Sequence, residues 1–305
     1  MEFRVTFLGT GAGYPTPQRN VTALAVERGR GLYLLDCGEG TLRAMQAAGV
    51  GFGRVRAVFF SHFHADHCLG LPGLLQTLQL MGRERRLDIY GPPGVRQFVH
   101  RAVNLAPFAP TFCTITHEVT PEEGVTLDGL TVTTAWMEHT APVLGYRLQE
   151  PEQPGRLDAG RARALGVAEG PAMGRLKAGE AITTVDGRRV TPAEVVGSSA
   201  PGRSLVFSSD TRPNPGLTDL ARGADLLVHD ATFTDEHAER AAETGHSTAA
   251  QAATTARDAG VGRLCLWHFS QRYRDATEHL EQARALFPET EVTADGLGVG
   301  VRREG

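Results

Sequence analysis

The run Ser61-His62-Phe63-His64-Ala65-Asp66-His67 constrains this chain more than any other feature. It follows the apolar segment Val55 to Phe60, whose composition reads as a strand. Three imidazoles and a carboxylate thus fall at a strand's C-terminal end, where open α/β sheets place their ligand sites. In extended backbone His62 and His64 point the same way and can clamp one metal, while Asp66 and His67, at the start of the next helix, can face a second. Imidazole nitrogen and carboxylate oxygen suit Zn²⁺, and a catalytic zinc keeps one position open for water. A merely polar surface loop would account for the residue types but not for this spacing directly after an apolar strand.

The remaining ligands are expected at the ends of other strands, and three residues meet that condition. His139 follows the segment through Trp136, Asp210 follows Leu205-Val206-Phe207-Ser208, and His268 follows Leu264-Cys265-Leu266-Trp267. Each alone reads equally well as a capping or loop residue, but the same placement three times favours a shared site. His246 precedes Ser247-Thr248, which can cap a following helix, and Asp230 after Leu226 to His229 reads as a strand-end acid. His100, His117, His237 and His279 have no partner in view and read as structural or surface residues.

Strand patterns at Phe3 to Leu8, Thr22 to Val26, Leu32 to Leu35, Leu87 to Tyr90, Thr111 to His117 and Leu130 to Trp136 surround the metal run. Helical patterns fall near Gly40 to Ala48, Leu69 to Met81 and Gly94 to Asn104. The second half repeats the theme, with strands at Ser204 to Ser208, Leu226 to His229 and Leu264 to Trp267, and helices near Thr248 to Asp258 and Ala276 to Leu286. Two such halves predict an α/β sandwich, sheets covered by helices. With 305 residues, 41% of them apolar, one large domain can bury its own core. Residues 150–203 break the pattern with glycine, proline and arginine and read as an inserted flexible arm. Within 155–189, seven basic residues stand against four acidic ones, and Lys177 is the only lysine in the chain.

The formal net charge of −4 means that an acidic partner must be held by a local basic element or by metal ions. Cys37, Cys68, Cys113 and Cys265 form no CxxC pair, which argues against a disulfide framework or a cysteine zinc cage and points to a reducing, cytoplasmic setting. No export signal or membrane insertion is predicted, because no basic n-region precedes a long apolar stretch and no run reaches about 18 uncharged apolar residues.

With these motifs in hand, the chain resembles the metallo-β-lactamase superfamily and, within it, the tRNA 3′-end-processing endonucleases of the ribonuclease Z family. The likeness runs through Phe7-Leu8-Gly9-Thr10-Gly11-Ala12-Gly13, Asp36-Cys37-Gly38-Glu39-Gly40-Thr41, the HxHxDH run with Gly70 to Leu75, Ser209-Asp210-Thr211-Arg212-Pro213 and His246-Ser247-Thr248. In the arm, Gly170-Pro171-Ala172-Met173-Gly174-Arg175-Leu176-Lys177 resembles the family's tRNA-binding glycine-proline motif. The resemblance implies a four-layer αβ/βα sandwich and two zinc ions per subunit. His62, His64 and His139 would hold one, Asp66, His67 and His268 the other, and Asp210 would bridge them.

The same resemblance implies catalytic roles for Asp66, His246 and Asp230, and substrate contacts at Arg19, Asn20, Gly170, Pro171, Arg175 and Lys177. It further implies a pre-tRNA substrate, cleavage leaving a 3′-hydroxyl on the tRNA and a 5′-phosphate on the trailer, and a homodimer. The chain departs from the family pattern in two places. His229-Asp230-Ala231-Thr232 stands where the family has His-Glu-Ala-Thr, keeping the charge while shortening the reach, and Pro17 stands where a lysine is usual before Arg19-Asn20. Two rival readings remain: a phosphodiesterase of the same fold acting on small esters, and an RNA-binding protein without catalysis.

Overall fold

Strand β1 (Phe3–Gly9) turns Phe3, Val5 and Phe7 to one side and Leu8 to the other, and both sides are buried. Burial on both faces is the signature of a sheet sandwiched between other layers. A computed structural model, describing residues 2–105, 110–121 and 123–303, gives those layers. The first sheet is built from β1, β2 (Ala23–Arg28), β3 (Gly31–Leu35), β4 (Val55–Phe59), β5 (Leu87–Gly91) and β6 (Thr114–Glu118). The second holds β7 (Val125–Leu127), β8 (Leu130–Met137) and β9 (Val143–Gln149). After the arm it continues with β12 (Ser204–Phe207), β13 (Leu226–Asp230), β14 (Leu264–Trp267) and β15 (Thr290–Val292). The last strand, β16 (Gly298–Gly300), returns to the first sheet and pairs antiparallel with β1, giving the orders β16-β1-β2-β3-β4-β5-β6 and β15-β14-β13-β12-β9-β8-β7.

Between the sheets lie Phe7, Tyr33 and Phe59 from one side and Tyr146, Phe207 and Trp267 from the other, all buried in one apolar cluster. The outer face of the first sheet is covered by α1 (Thr41–Ala47), α3 (Leu71–Leu80) and α4 (Val95–Val103), through Met45, Leu74, Leu78 and Val99. That of the second is covered by α8 (Pro215–Ala221), α10 (Ala249–Ala259) and α11 (Thr277–Arg284), through Leu217, Ala252, Ala256 and Ala283. Helix, sheet, sheet, helix is the expected four-layer αβ/βα sandwich. The alanine face of α10 is what lets that helix lie close on its sheet.

Strands β3 to β6 run parallel, as do β12 to β15, so several C-terminal strand ends share one rim. From that rim the chain emits residues 60–67, 208–211, 230–234 and 268–271. A strand at Val143–Gln149 and the short β15 and β16 are absent from the sequence reading; the first is interrupted by Gly145 and Arg147, and three-residue strands are too brief to display a period. The helical pattern read from Leu69 to Met81 begins earlier and breaks, as α2 (Ala65–Cys68) and then α3, because Pro72 favours a fresh first turn.

Residues Gln149–Gly202 form a separate compact unit. It contains α5 (Ala159–Ala164), α6 (Pro171–Lys177), a hairpin of β10 (Ile182–Thr183) and β11 (Arg189–Val190), and α7 (Pro192–Val195). A small core of Ala162, Val167, Leu176, Ile182, Val190 and Val195 holds it together. Asp158 caps α5 by accepting from the Arg161 amide, and Thr191 with Glu194 closes a capping box on α7. Among the described residues, no helix is long and apolar enough to cross a membrane.

Candidate metal centre

Beyond β4 the chain stays extended through His62 to His64, whose ψ of 148° is still that of a strand, and then enters α2 with Asp66 and His67 in its first turn. What holds this turn is Asp36, at the end of β3. Its carboxylate accepts from the Ser61 amide at 2.7 Å, from the Ser61 hydroxyl at 2.7 Å and from His67 Nδ1 at 2.8 Å. Asp36, Ser209 and His268 all carry positive φ, 59°, 54° and 67°. Three non-glycine residues in that costly region around one rim mark a site whose geometry the surrounding fold enforces.

A hydrogen bond to one nitrogen sets which nitrogen a histidine presents. His67 donates Nδ1 to Asp36. The Ser61 hydroxyl, whose own proton goes to Asp36, faces His62 Nδ1 at 3.0 Å. His139 Nδ1 donates to the Gly245 carbonyl at 2.7 Å, and His268 Nδ1 to the Thr232 hydroxyl at 2.9 Å, which itself donates to Asp230. Four rings are thereby turned to offer Nε2, while His64 offers Nδ1, 3.3 Å from His139 Nε2. Gly245 has φ +81°, and a Cβ there would come within 2.7 Å of His139 Nδ1, so only glycine lets the backbone take this position.

The offered atoms converge on Asp210. Its Oδ2 lies 3.9 Å from His62 Nε2, 3.9 Å from His139 Nε2 and 3.3 Å from His67 Nε2, while its Oδ1 lies 3.5 Å from His268 Nε2. Asp66 Oδ2 completes the second group, 3.6 Å from His67 Nε2 and 3.5 Å from His268 Nε2. Ligands arranged tetrahedrally about one zinc stand about 3.3 Å apart, so these spacings suit ions of that size. His62, His64, His139 and Asp210 form one metal-competent group and Asp66, His67 and His268 another. His62 Nε2, His268 Nε2 and Asp210 Oδ1 are buried without a hydrogen-bond partner, the condition expected of atoms that await a cation. Asp230, although close, is already spoken for: it accepts from the Thr211 and Thr232 amides, the Thr232 hydroxyl and His246.

Charge points the same way. Burial disfavours a charged His67, yet Asp210, Asp66 and Asp36 override it and raise its pKa well above the ordinary value. Burial likewise works against ionised Asp210, and the neighbouring His268 and His67 override it. Without a cation the cluster balances its carboxylates only by holding protons; a divalent cation serves the same end.

His246 stands beside this cluster. Its Nδ1 donates to Asp230 Oδ2 at 2.8 Å, so the shorter acid does reach, contrary to the expectation from its missing methylene. Burial opposes a charge on His246, but the Asp230 carboxylate outweighs burial and raises its pKa to about 9. His246, His64, Asp66, His139, Asp210 and His268 line one open pocket of about 390 Å³.

The expected substrate residues lie elsewhere. Arg19 spans the glycine loop, donating Nη1 to Thr10 Oγ1 at 2.8 Å and to the Thr293 carbonyl at 3.2 Å, with its guanidinium 4.4 Å from the centre of the Phe269 ring. Asn20 donates its amide to Asp295. Both line a second groove of about 680 Å³, shared with Pro17, Glu39 and Arg43, and neither lines the pocket above. Gly170, Pro171, Arg175 and Lys177 belong to α6 and its N-cap in the second unit; Arg175 pairs with Glu180 at 2.8 Å and Lys177 is exposed.

Sequence reasoning missed Asp36, Ser61 and Thr232 as orienting groups. Asp36 was detectable as an acid directly after the apolar run Leu32 to Leu35. Two histidines read as unpartnered do have partners: His117 Nε2 meets Asp88 at 3.0 Å and His237 Nδ1 meets the Tyr273 hydroxyl at 3.0 Å. His279 packs edge-on against Phe269 and Tyr273.

Comparison with known proteins adds to this picture. Residues 3–102 match a family model described as the anti-Pycsar protein Apyc1, and residues 173–269 match a beta-lactamase superfamily domain. Ribonuclease Z of Myxococcus xanthus is 47% identical over 97% of this chain and 97% of its own length. Ribonuclease Z of Haloferax volcanii is 47% identical over 97% and 94%, and ribonuclease BN of Cronobacter sakazakii 42% over 97% and 99%. Among solved structures, the short form of human tRNase Z superposes with a TM-score of 0.71 at 27% identity, covering 98% of this chain and 100% of that one. A metallo-β-lactamase fold protein of Bacillus subtilis reaches the same TM-score at 19% identity, a likeness of fold alone.

Proposed function

The chain belongs to the ribonuclease Z family and is an endoribonuclease of tRNA 3′ ends; we propose that the cluster around Asp210 is its active centre and holds two zinc ions. His62, His64 and His139 would hold one, Asp66, His67 and His268 the other, with Asp210 available to both. The observation that carries this is the convergence of buried, unpartnered His62 Nε2, His268 Nε2 and Asp210 Oδ1 around Asp210, beside a histidine kept charged by Asp230. Zinc bound there would supply a water of lowered pKa and positive charge to neutralise the phosphate.

The protein's own groups supply the rest. Asp66, tied to the Gly13 amide at 2.7 Å and facing the pocket, orients the attacking oxygen. His246 carries a proton on the nitrogen that Asp230 leaves free and gives it to the departing 3′-oxygen. The products are a tRNA 3′-hydroxyl and a trailer 5′-phosphate. Gly170, Pro171, Arg175 and Lys177, in the unit spanning 149–202, grip pre-tRNA phosphates, and Arg19 and Asn20 shape the groove beside the metal pocket.

A homodimer fits the exposure of Leu80, Met81 and Leu105 at the ends of the packed helices α3 and α4, 86%, 62% and 73% exposed. A reducing, cytoplasmic setting fits four free cysteines, three of them buried. The test of function is incubation with a pre-tRNA bearing a 3′ trailer, alongside a chromogenic phosphodiester. A single cut at the trailer junction, with the stated end groups and a large preference for the RNA, is expected; cleavage of the small diester alone would favour a phosphodiesterase of small esters.

A further inference from the structure

We propose that Tyr14 is the stacking platform for the nucleobase beside the scissile phosphodiester. The inference rests on the endonuclease reading and adds a residue that helps select and hold the RNA at the cut.

Tyr14 sits in the loop between β1 and β2, and its backbone is fixed from three sides. Its amide donates to the Ala12 carbonyl at 2.9 Å, and its carbonyl accepts from Gln271 Nε2 at 3.3 Å. The preceding Gly13 amide donates to Asp66 Oδ2. One neighbour is thus bound to a carboxylate of the metal cluster, and another contact comes from the segment that follows His268. Pro15 comes next and restricts Tyr14 to extended backbone. All of this anchors the main chain and leaves the ring alone: Tyr14 lines the pocket that contains Asp66, Asp210 and His246, the residue is 63% exposed, and its hydroxyl makes no hydrogen bond among the described residues.

Apart from the histidines, the other aromatic residue lining that pocket is Phe233. It is 4% exposed, and the Arg272 guanidinium lies 5.3 Å from its centre. Tyr14 therefore offers an open aromatic face next to the reacting centre, on a backbone anchored to the site. An exposed ring on an anchored backbone, bordering a pocket for a phosphodiester, is suited to a flat, partly apolar group carried beside that phosphate, and in RNA that group is a base. Stacking of this kind tolerates all four bases because each has a π face.

The experiment compares wild type, Tyr14→Ala and Tyr14→Trp on intact pre-tRNA and on the same RNA made abasic at the nucleotide immediately 5′ or 3′ of the cut, with thermal midpoints as a control for folding. Loss of one stacking contact should raise KM for intact RNA roughly tenfold. Tyr14→Trp should restore it, and on one of the two abasic RNAs wild type and Tyr14→Ala should converge. An unchanged KM for Tyr14→Ala, or the same penalty on both abasic RNAs as on intact RNA, would overturn the inference alone. Failure of the wild type to cut intact pre-tRNA would remove the endonuclease reading itself.

Discussion

His246 Nδ1 lies 2.8 Å from Asp230 Oδ2, and this contact decides which ring nitrogen faces the pocket and what charge the ring carries. Asp230 is fully buried and also accepts from the Thr232 hydroxyl that orients His268. One carboxylate therefore aligns His246 and His268, the proposed proton donor and a proposed metal ligand, together. Asp230→Ala should lower kcat by roughly a hundredfold or more, and Asp230→Glu should recover part of it. Steady-state kinetics on pre-tRNA, with metal content measured in the same samples, provides the check; full activity in Asp230→Ala would remove this residue from the mechanism.

The pH dependence follows from the same pair. Burial alone would lower the pKa of His246 from 6.5, but Asp230 raises it to about 9, so the ring is protonated at neutral pH. Its raised value contributes stability in full below 6.5 and loses it as pH rises through about 9. A step that needs this proton slows over the same range, and cations bound next to the ring move that limb downward. The profile of kcat against pH should fall on its alkaline side, and in Asp230→Asn that fall should come at lower pH. An alkaline limb identical in both proteins would contradict His246 as the acid.

Asp36 orients without touching a substrate. It holds His67 through Nδ1 and the start of the metal run through Ser61. Asp36→Ala should weaken metal affinity by roughly 10- to 100-fold, the usual effect of losing such a partner. Competition with a chelator measures this; an unaltered metal affinity would make Asp36 a purely structural acid.

Removing the metals should also destabilise the fold. The cluster around Asp210 gathers His62, His64, His67, His139 and His268 with Asp66 and Asp210 itself, and a cation that binds only the folded chain adds stability by mass action. Chelation should lower the thermal midpoint and resupplied zinc should restore it. Scanning calorimetry of stripped and reloaded protein decides this, and equal midpoints would contradict the proposed occupancy.

The clustering of residues 62–67 with His139, Asp210 and His268 was legible because six adjacent residues after an apolar strand carry a pattern and the other three stand at strand ends, which the fold gathers on one rim. Asp36 and Thr232 were not, since an orienting hydrogen bond joins residues far apart in sequence and leaves no periodic trace. The unit at 149–202 was recognisable as an insertion, but its six-residue core is distributed over helices and strands too short to show a period. Arg19 enters the sequence reading as a substrate contact implied by resemblance, and the structure adds that its guanidinium meets Thr10, the Thr293 carbonyl and the Phe269 ring. Nothing local in the sequence displays those contacts, which join residues far apart along the chain.

The most direct test of the two-metal centre is the zinc content per chain in wild type, His64→Ala and His246→Ala, measured by mass spectrometry on the intact folded protein. Two ions in wild type and in His246→Ala, with at least one lost in His64→Ala, is the predicted result. Equal loss from both variants, or fewer than two ions in the wild type, would contradict the assignment of His64 as ligand and His246 as proton donor.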